Sequence, residues 1–437
     1  MMFKVSRKSY FFLIYIITFC FISCRKESEQ VHPVVKVSIP YENQIFTVLD
    51  TVQIQAQISH VKPLKSISMA IVDMDLKAVS DRFNLSPEDN EYQINSNIII
   101  NNIELSTANY YLHIRASDGE NETNSYTKIY IYELPRILED IFIISKTSYG
   151  SVNISKLDSS FQLIPIFSIN SDFGYADIDP INKLLYISGK FNNKIYCIDY
   201  QNNIELWNRI VPGYSPLPYF NDLQVHHKKC YIAIRQSALM AYNSSGTLVY
   251  NQPTNSERYP VKLHFHKQYI VSSQQSISKQ NIYIVMQYLE SGSYFQQLQS
   301  SIQLVNFYTK DDNNIFIFGN DVGNNAEVRI YEIDNNGVWE PYNFTNGKIV
   351  ACEMVDNNTF FVAYENKILR YSFNPPGSVD FVANIQTRSM RYDAYEQKLY
   401  VATKDKRLLQ YSYPFGILEQ QNSINDSICE LLLVYNR

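Results

Sequence analysis

An aromatic residue set among apolar neighbours returns seven times in the last three hundred residues: Phe142, Tyr186, Tyr231, Tyr269, Phe316, Phe361 and Tyr400. The gaps are 44, 45, 38, 47, 45 and 39 residues, a mean of 43. A unit of that length is one supersecondary element that cannot bury its apolar face alone, so successive units must stack. The second unit reads Ala176-Asp177-Ile178-Asp179-Pro180, Lys183 to Ser188, Lys194 to Asp199, then Ile204 to Trp207. The seventh reads Met390 to Ala394, Lys398 to Ala402, Leu408 to Tyr411, then Phe415 to Glu419. Four short apolar runs per unit, joined by turns rich in Asn, Asp, Lys and Gly, predict four strands per unit.

Sheets of four strands repeating at this period are the signature of a β-propeller. The region starts just after Leu134-Pro135-Arg136, and its first anchor, Phe142, leaves room for three strands of a unit but not for the first. Ile428 to Tyr435 reads as a lone first strand. The expectation is that this strand completes the first blade, closing a ring of seven and removing both open edges. Counts of six and eight stay open because the fourth unit, Val261 to Gln299, is irregular. The Asp-Pro…Leu-Tyr-Ile/Val-Ser/Ala pattern resembles the blades of seven-bladed propellers of the YVTN and quinoprotein-like superfamily, over roughly Ile137 to the end. That resemblance implies a fold and hardly a function.

Upstream, Val52, Ile54, Ala56 and Ile58 alternate with polar residues, as in a strand with one buried face. Further strands are expected at Ser66–Val72, Glu91–Ile94 and Ile98–Ile103. A hairpin is expected where Tyr110–Ala116 and Thr127–Tyr132 flank a turn at Ser117 to Asn121, since Asp118-Gly119 supplies turn chemistry. Some seven short strands in about a hundred residues suggest an immunoglobulin-like sandwich without the core cysteine pair and tryptophan.

The N-terminus reads as an address. Lys4, Arg7 and Lys8 precede an apolar run, Phe11 to Ile22, that is short for a membrane span. The run ends at Phe21-Ile22-Ser23-Cys24, which resembles a bacterial lipobox. The resemblance implies cleavage before Cys24 and lipidation of its thiol. Arg25-Lys26-Glu27-Ser28-Glu29-Gln30 then reads as a polar tether, similar to export signals of surface lipoproteins in the Bacteroidota. The immunoglobulin-like stretch likewise resembles modules that follow the anchor in such lipoproteins. The expected organisation is a signal peptide over 1–23, a tether over 24–33, an Ig-like β-sandwich over 34–134 and the propeller over 137–437. Its expected place is the outer membrane, facing either side.

A net charge of −5 argues against nucleic acid, which favours basic surfaces. Cys197, Cys230, Cys352 and Cys429 lie in strand-like stretches without CxxC spacing, so buried thiols are favoured over two disulfides or a zinc site. His226-His227 and His264-x-His266 are the clustered histidines, in consecutive units, and Asp177/Asp179 and Asp311-Asp312 are paired carboxylates. Histidines two apart on a strand can share a metal, and paired carboxylates can do acid/base work. Turn and strand-surface roles are the commoner use of both. Trp207 and Trp339 do not form the repeated docking motif of quinoprotein dehydrogenases, and sialidase, kelch, P-loop and dinucleotide motifs are absent. No catalytic residue, metal ligand or cofactor is therefore assigned, and Cys24 is the one site residue. The favoured function is a membrane-anchored, non-catalytic binding platform for a glycan, peptide or envelope protein. The alternatives are a carbohydrate-active or lactonase-type enzyme using carboxylates at the central mouth, and an outer-membrane assembly factor.

Overall fold

The computed structural model describes residues 31–147, 150–211, 218–279, 281–344 and 347–437. Cys24, the signal peptide and most of the tether lie outside the described residues. The chain divides into two compact units, 1–135 and 136–437. The described residues are all-β, without a helix.

In the first unit, a three-stranded sheet (34–39, 51–59, 91–99) and a five-stranded sheet (44–47, 122–132, 108–117, 66–72, 83–85) share one apolar core. The alternation at Val52, Ile54, Ala56 and Ile58 faces that core, each side chain buried. The two strands expected between Glu91 and Ile103 are instead one continuous strand, Glu91–Ile99. Asn95 and Asn97 face solvent within it, while the half-buried Ser96 shares the inward face with Ile94 and Ile98. The hairpin turn carries its expected chemistry: Asp118 Oδ1 accepts from the backbone N–H of Glu120 (2.8 Å) and Asn121 (2.6 Å), and Gly119 holds φ of +95°.

The second unit contains seven four-stranded antiparallel sheets among its described residues, of the kind that form propeller blades. Six are built from consecutive strands, beginning at 175–179, 220–226, 258–266, 303–309, 351–356 and 387–393. In the remaining sheet, strands 138–146, 152–157 and 163–169 are joined by strand 427–435, which pairs antiparallel with 138–146. The fourth unit, irregular in sequence, has its four strands in place at 258–266, 269–276, 282–288 and 294–300.

The aromatic period has a packing cause. Tyr186 lies in a core between its own sheet and the one beginning at 220, and Tyr231 in the core between that sheet and the next. Phe316 and Phe361 repeat the arrangement in the following two cores, Tyr269 packs against a fifth, and Tyr400 reaches residues 141–161 of the first sheet. Phe142 packs in turn with Leu185 and Ile187. Each anchor thus supplies one large ring to the seam between its sheet and its successor. The first strands of successive sheets also touch one another, and strand 427–435 touches both 387–393 and 175–179.

Candidate functional site

Those first strands gather a polar cluster that composition alone would not single out. In six sheets the residue paired across from the aromatic anchor is polar: Asp177, Gln224, His266, Tyr308, Glu353 and Arg391. Directly opposed residues share a face, so these side chains point the same way as the anchors, towards the next sheet. There they meet the neighbouring first strand.

Asp177 Oδ2 accepts from the backbone N–H of Val225 at 2.7 Å. Asp222 Oδ1 takes Lys262 Nζ at 3.0 Å, and its Oδ2 takes the N–H of Leu263 at 2.9 Å and Gln224 Nε2 at 3.2 Å. Gln224 Nε2 also donates to the carbonyl of Leu263 at 2.6 Å. His264 Nε2 and His266 Nδ1 lie 3.0 and 3.2 Å from Thr309 Oγ1. Tyr308 donates its hydroxyl to the carbonyl of Cys352 at 2.5 Å. Arg391 lies between two carboxylates, 3.0 Å from Glu430 and 3.6 Å from Glu353, and Ser389 donates to Glu430 at 2.7 Å. From 175–179 round to 427–435, every first strand is tied to its successor by a named side chain.

The electrostatics are those of a narrow, partly exposed seam. Glu353, Glu430, Lys262 and Arg391 keep 19–34 % of their side-chain exposure, yet the surrounding protein strongly desolvates Glu353, Lys262 and Arg391. Desolvation pushes the Asp177 carboxyl up to about 6, against the pull of the Val225 and Ile178 N–H groups. It pushes Glu353 up to about 7, with Arg391 opposing and Glu430 reinforcing. Desolvation disfavours the Lys262 ammonium, but Asp222 holds its pKa above the ordinary value. Burial likewise works against Arg391, and Glu430 and Glu353 more than offset it.

A carboxyl raised in the folded state stabilises fully below its unfolded pKa, here the ordinary 4.5, and that contribution is lost as pH rises through about 7. Glu353→Gln should therefore gain about 2–3 kcal/mol relative to the native protein between pH 5 and pH 8. Urea unfolding at the two pH values measures it; an identical difference at both would contradict the assignment.

The residues singled out in sequence separate on the structure. Asp177 belongs to the cluster, whereas Asp179 closes a turn, accepting from the N–H of Ile181 and Asn182, each at 3.1 Å, and from Asn182 Nδ2 at 2.7 Å. Asp311 does the same for Asn313 and Asn314. Although partial burial opposes ionisation, hydrogen bonds from Lys310 and Asn314 bring it down to about 2. Asp312 is exposed beside Lys267 at 3.1 Å. The histidines do approach one another, but as packed groups. His226 stacks on Phe265 at 4.1 Å, and desolvation lowers His226 and His264 to about 4. Among the described residues, no group of three or more His, Cys, Asp or Glu is arranged to hold a metal. Cys197, Cys230, Cys352 and Cys429 are free thiols. Trp207 is buried in a fourth strand and donates to the Ser244 carbonyl at 2.8 Å, while Trp339 is exposed.

Asp222, Lys262, Glu353, Arg391 and Glu430 were not singled out in sequence. The available signal was a charge in the middle of the first strand, seven to nine residues before the anchor in the first four cases.

No known protein family matches this chain, and no curated protein does. Among solved structures it is similar to the computationally designed Ika8 protein, at 10 % identity and a TM-score of 0.47, over 66 % of this chain and 86 % of that one.

Proposed function

We propose that residues 137–437 form a seven-bladed β-propeller closed by strand 427–435, carried on an immunoglobulin-like module over 34–134 and anchored to the outer membrane through a lipidated Cys24. The propeller serves as a non-catalytic binding platform whose ligand, a glycan, a peptide or another envelope protein, meets the face where the first strands converge. Seven sheets with a core at every seam support the ring.

One observation carries the binding role: the charged groups of the inner cluster are committed to neighbouring strands. Asp222 accepts three hydrogen bonds, Arg391 is shared by two carboxylates, and Asp177 is bonded to Val225. Acid/base chemistry needs a pair of carboxyls free to reach substrate. A cluster that joins strands offers a rigid, mixed-charge face instead, and rigid elements suit recognition.

The enzyme reading is favoured by a different feature, the carboxyls of Glu353 and Asp177 poised near neutrality. The two readings part on Glu353→Gln and Asp177→Asn. A platform keeps its affinity for envelope glycans or peptides in both variants by titration calorimetry. A polysaccharide or lactone turned over by the native protein and not by Glu353→Gln would establish the enzyme and end the platform reading. The anchor has its own test. Cys24→Ala should shift the protein from the detergent phase to the aqueous phase on phase partition and abolish fatty-acid labelling. Unchanged partition would dismiss lipidation.

A further inference from the structure

Away from the inner cluster, a groove of about 600 Å³ opens between strands 152–157 and 163–169 on one side and residues 422–426 on the other. That volume falls in the range of small-molecule sites. Its chemistry is unlike that of the cluster. The polar lining is amide and hydroxyl, chiefly Asn153, Gln162, Ser168, Asn422 and Asn425, and the single charged group is Asp426. Lys, Arg and His are absent from the lining. Pro165, exposed and paired across from Ser155, is the apolar group on this wall, whereas Phe167, paired with Ile154, turns to the core on the other face, where Ile166 also packs.

The polar groups are already ordered. Ser168 Oγ donates to Asn153 Oδ1 at 2.6 Å, and Asn153 Nδ2 donates to Asp426 Oδ2 at 2.9 Å, so one relay spans both walls. Asn422 Nδ2 donates to the Phe161 carbonyl at 2.9 Å, a second bridge between them. Gln162, Ser168 and Asn425 remain exposed to solvent. Amides and hydroxyls both donate and accept, which matches the adjacent hydroxyls of a sugar, and the exposed Pro165 ring offers apolar surface to its C–H face. No cation lines the groove for a phosphate or carboxylate ligand, Lys406 at its edge being held by the Asn425 carbonyl at 2.7 Å, and a cationic ligand would find a single carboxylate already bonded to Asn153.

We propose that this groove binds a neutral oligosaccharide of two or three rings. The site is separate from the inner cluster and does not rest on the function proposed for it. Because its two walls come from residues 153–168 and 422–426, a bound sugar also clamps the neighbourhood of strand 427–435 against the first sheet. Binding therefore raises the unfolding temperature, since a ligand held only by the folded form stabilises it.

The test titrates the full-length protein in detergent with maltotriose, xylotriose, chitotriose and trigalacturonate. At least one neutral trisaccharide should bind, with an accompanying rise in unfolding temperature, and trigalacturonate should bind at least about tenfold more weakly. Asn425→Trp and Ser168→Tyr, both at exposed rim positions, should fill the groove and weaken binding at least about tenfold, and Asn425→Trp, which breaks no link of the relay, should leave the sugar-free unfolding temperature unchanged. The proposal is overturned if no neutral trisaccharide binds, if trigalacturonate binds as well as they do, or if both groove variants bind like the native protein. Binding lost in Arg391→Gln but kept in Asn425→Trp would place the sugar at the inner cluster and overturn it too.

Discussion

Deleting residues 427–437 should abolish the cooperative unfolding transition of the 136–437 unit while leaving that of the first unit in place. Ile428, Leu431, Leu432 and Val434 are 0–4 % exposed, packed against residues of the first, second and seventh sheets. At about 1.5–3 kcal/mol for each buried side chain, their loss removes roughly 6–12 kcal/mol. Ordinary domain stability is only about 5–15 kcal/mol. The deletion also strips strand 138–146 of a partner along its length, exposing a long edge prone to self-association. Calorimetry of the truncated protein reads both effects. A synthetic peptide covering 427–437, added in trans, should restore the transition. A truncated protein that unfolds at the native midpoint would refute the part assigned to this strand.

Asp222→Ala should cost about 3–5 kcal/mol, the usual loss when one partner of a buried ion pair is removed. Asp222 has 3 % side-chain exposure and accepts from Lys262, Leu263 and Gln224. Alanine removes the acceptor of the Leu263 N–H and strands the Lys262 ammonium in a desolvated seam, while Gln224 keeps the Leu263 carbonyl. The larger part of the loss comes from that stranded charge, so Asp222→Ala combined with Lys262→Met should recover at least about half of it. Urea midpoints of the two single variants and the double variant close the cycle. Strict additivity would mean that the pair is not coupled and that the loss lies in the backbone hydrogen bond to Leu263.

The sequence was legible where a residue's role is repeated. Each anchor fills one seam between sheets, so the same physical demand recurs and leaves a visible period. Turn chemistry was equally readable, as at Ser117 to Asn121, because its carboxylate and glycine act within a few residues. The strand at Glu91–Ile99 was misread because Asn95-Ser96-Asn97 has the composition of a loop, although Ile94 and Ile98 preserve the alternation that decides the matter. The inner cluster was mostly hidden for a different reason. Arg391 has the look of a solvent-facing residue until the register places it across from Tyr400 and between carboxylates of two neighbouring strands, and Lys262 does so until it meets Asp222, forty residues earlier. Asp177 and Asp179, two apart on one strand, share nothing functionally, since one reaches the next sheet and the other closes its own turn. The seam between residues 153–168 and 422–426 joins segments more than 250 residues apart, and no local pattern announces it.

The links between first strands differ from one junction to the next: a carboxylate on a backbone N–H, a carboxylate on a lysine, imidazoles on a threonine, a phenol on a carbonyl, an arginine between two glutamates. Sheets built to one plan face a combinatorial hazard during folding, because any apolar face can dock on any other. Chains of similar repeats are prone to such misassembly. Non-identical polar junctions act as a set of keyed connectors. A sheet docked out of order strands a charge or a donor away from water at several kcal/mol, and the wrong arrangement is rejected before it is locked.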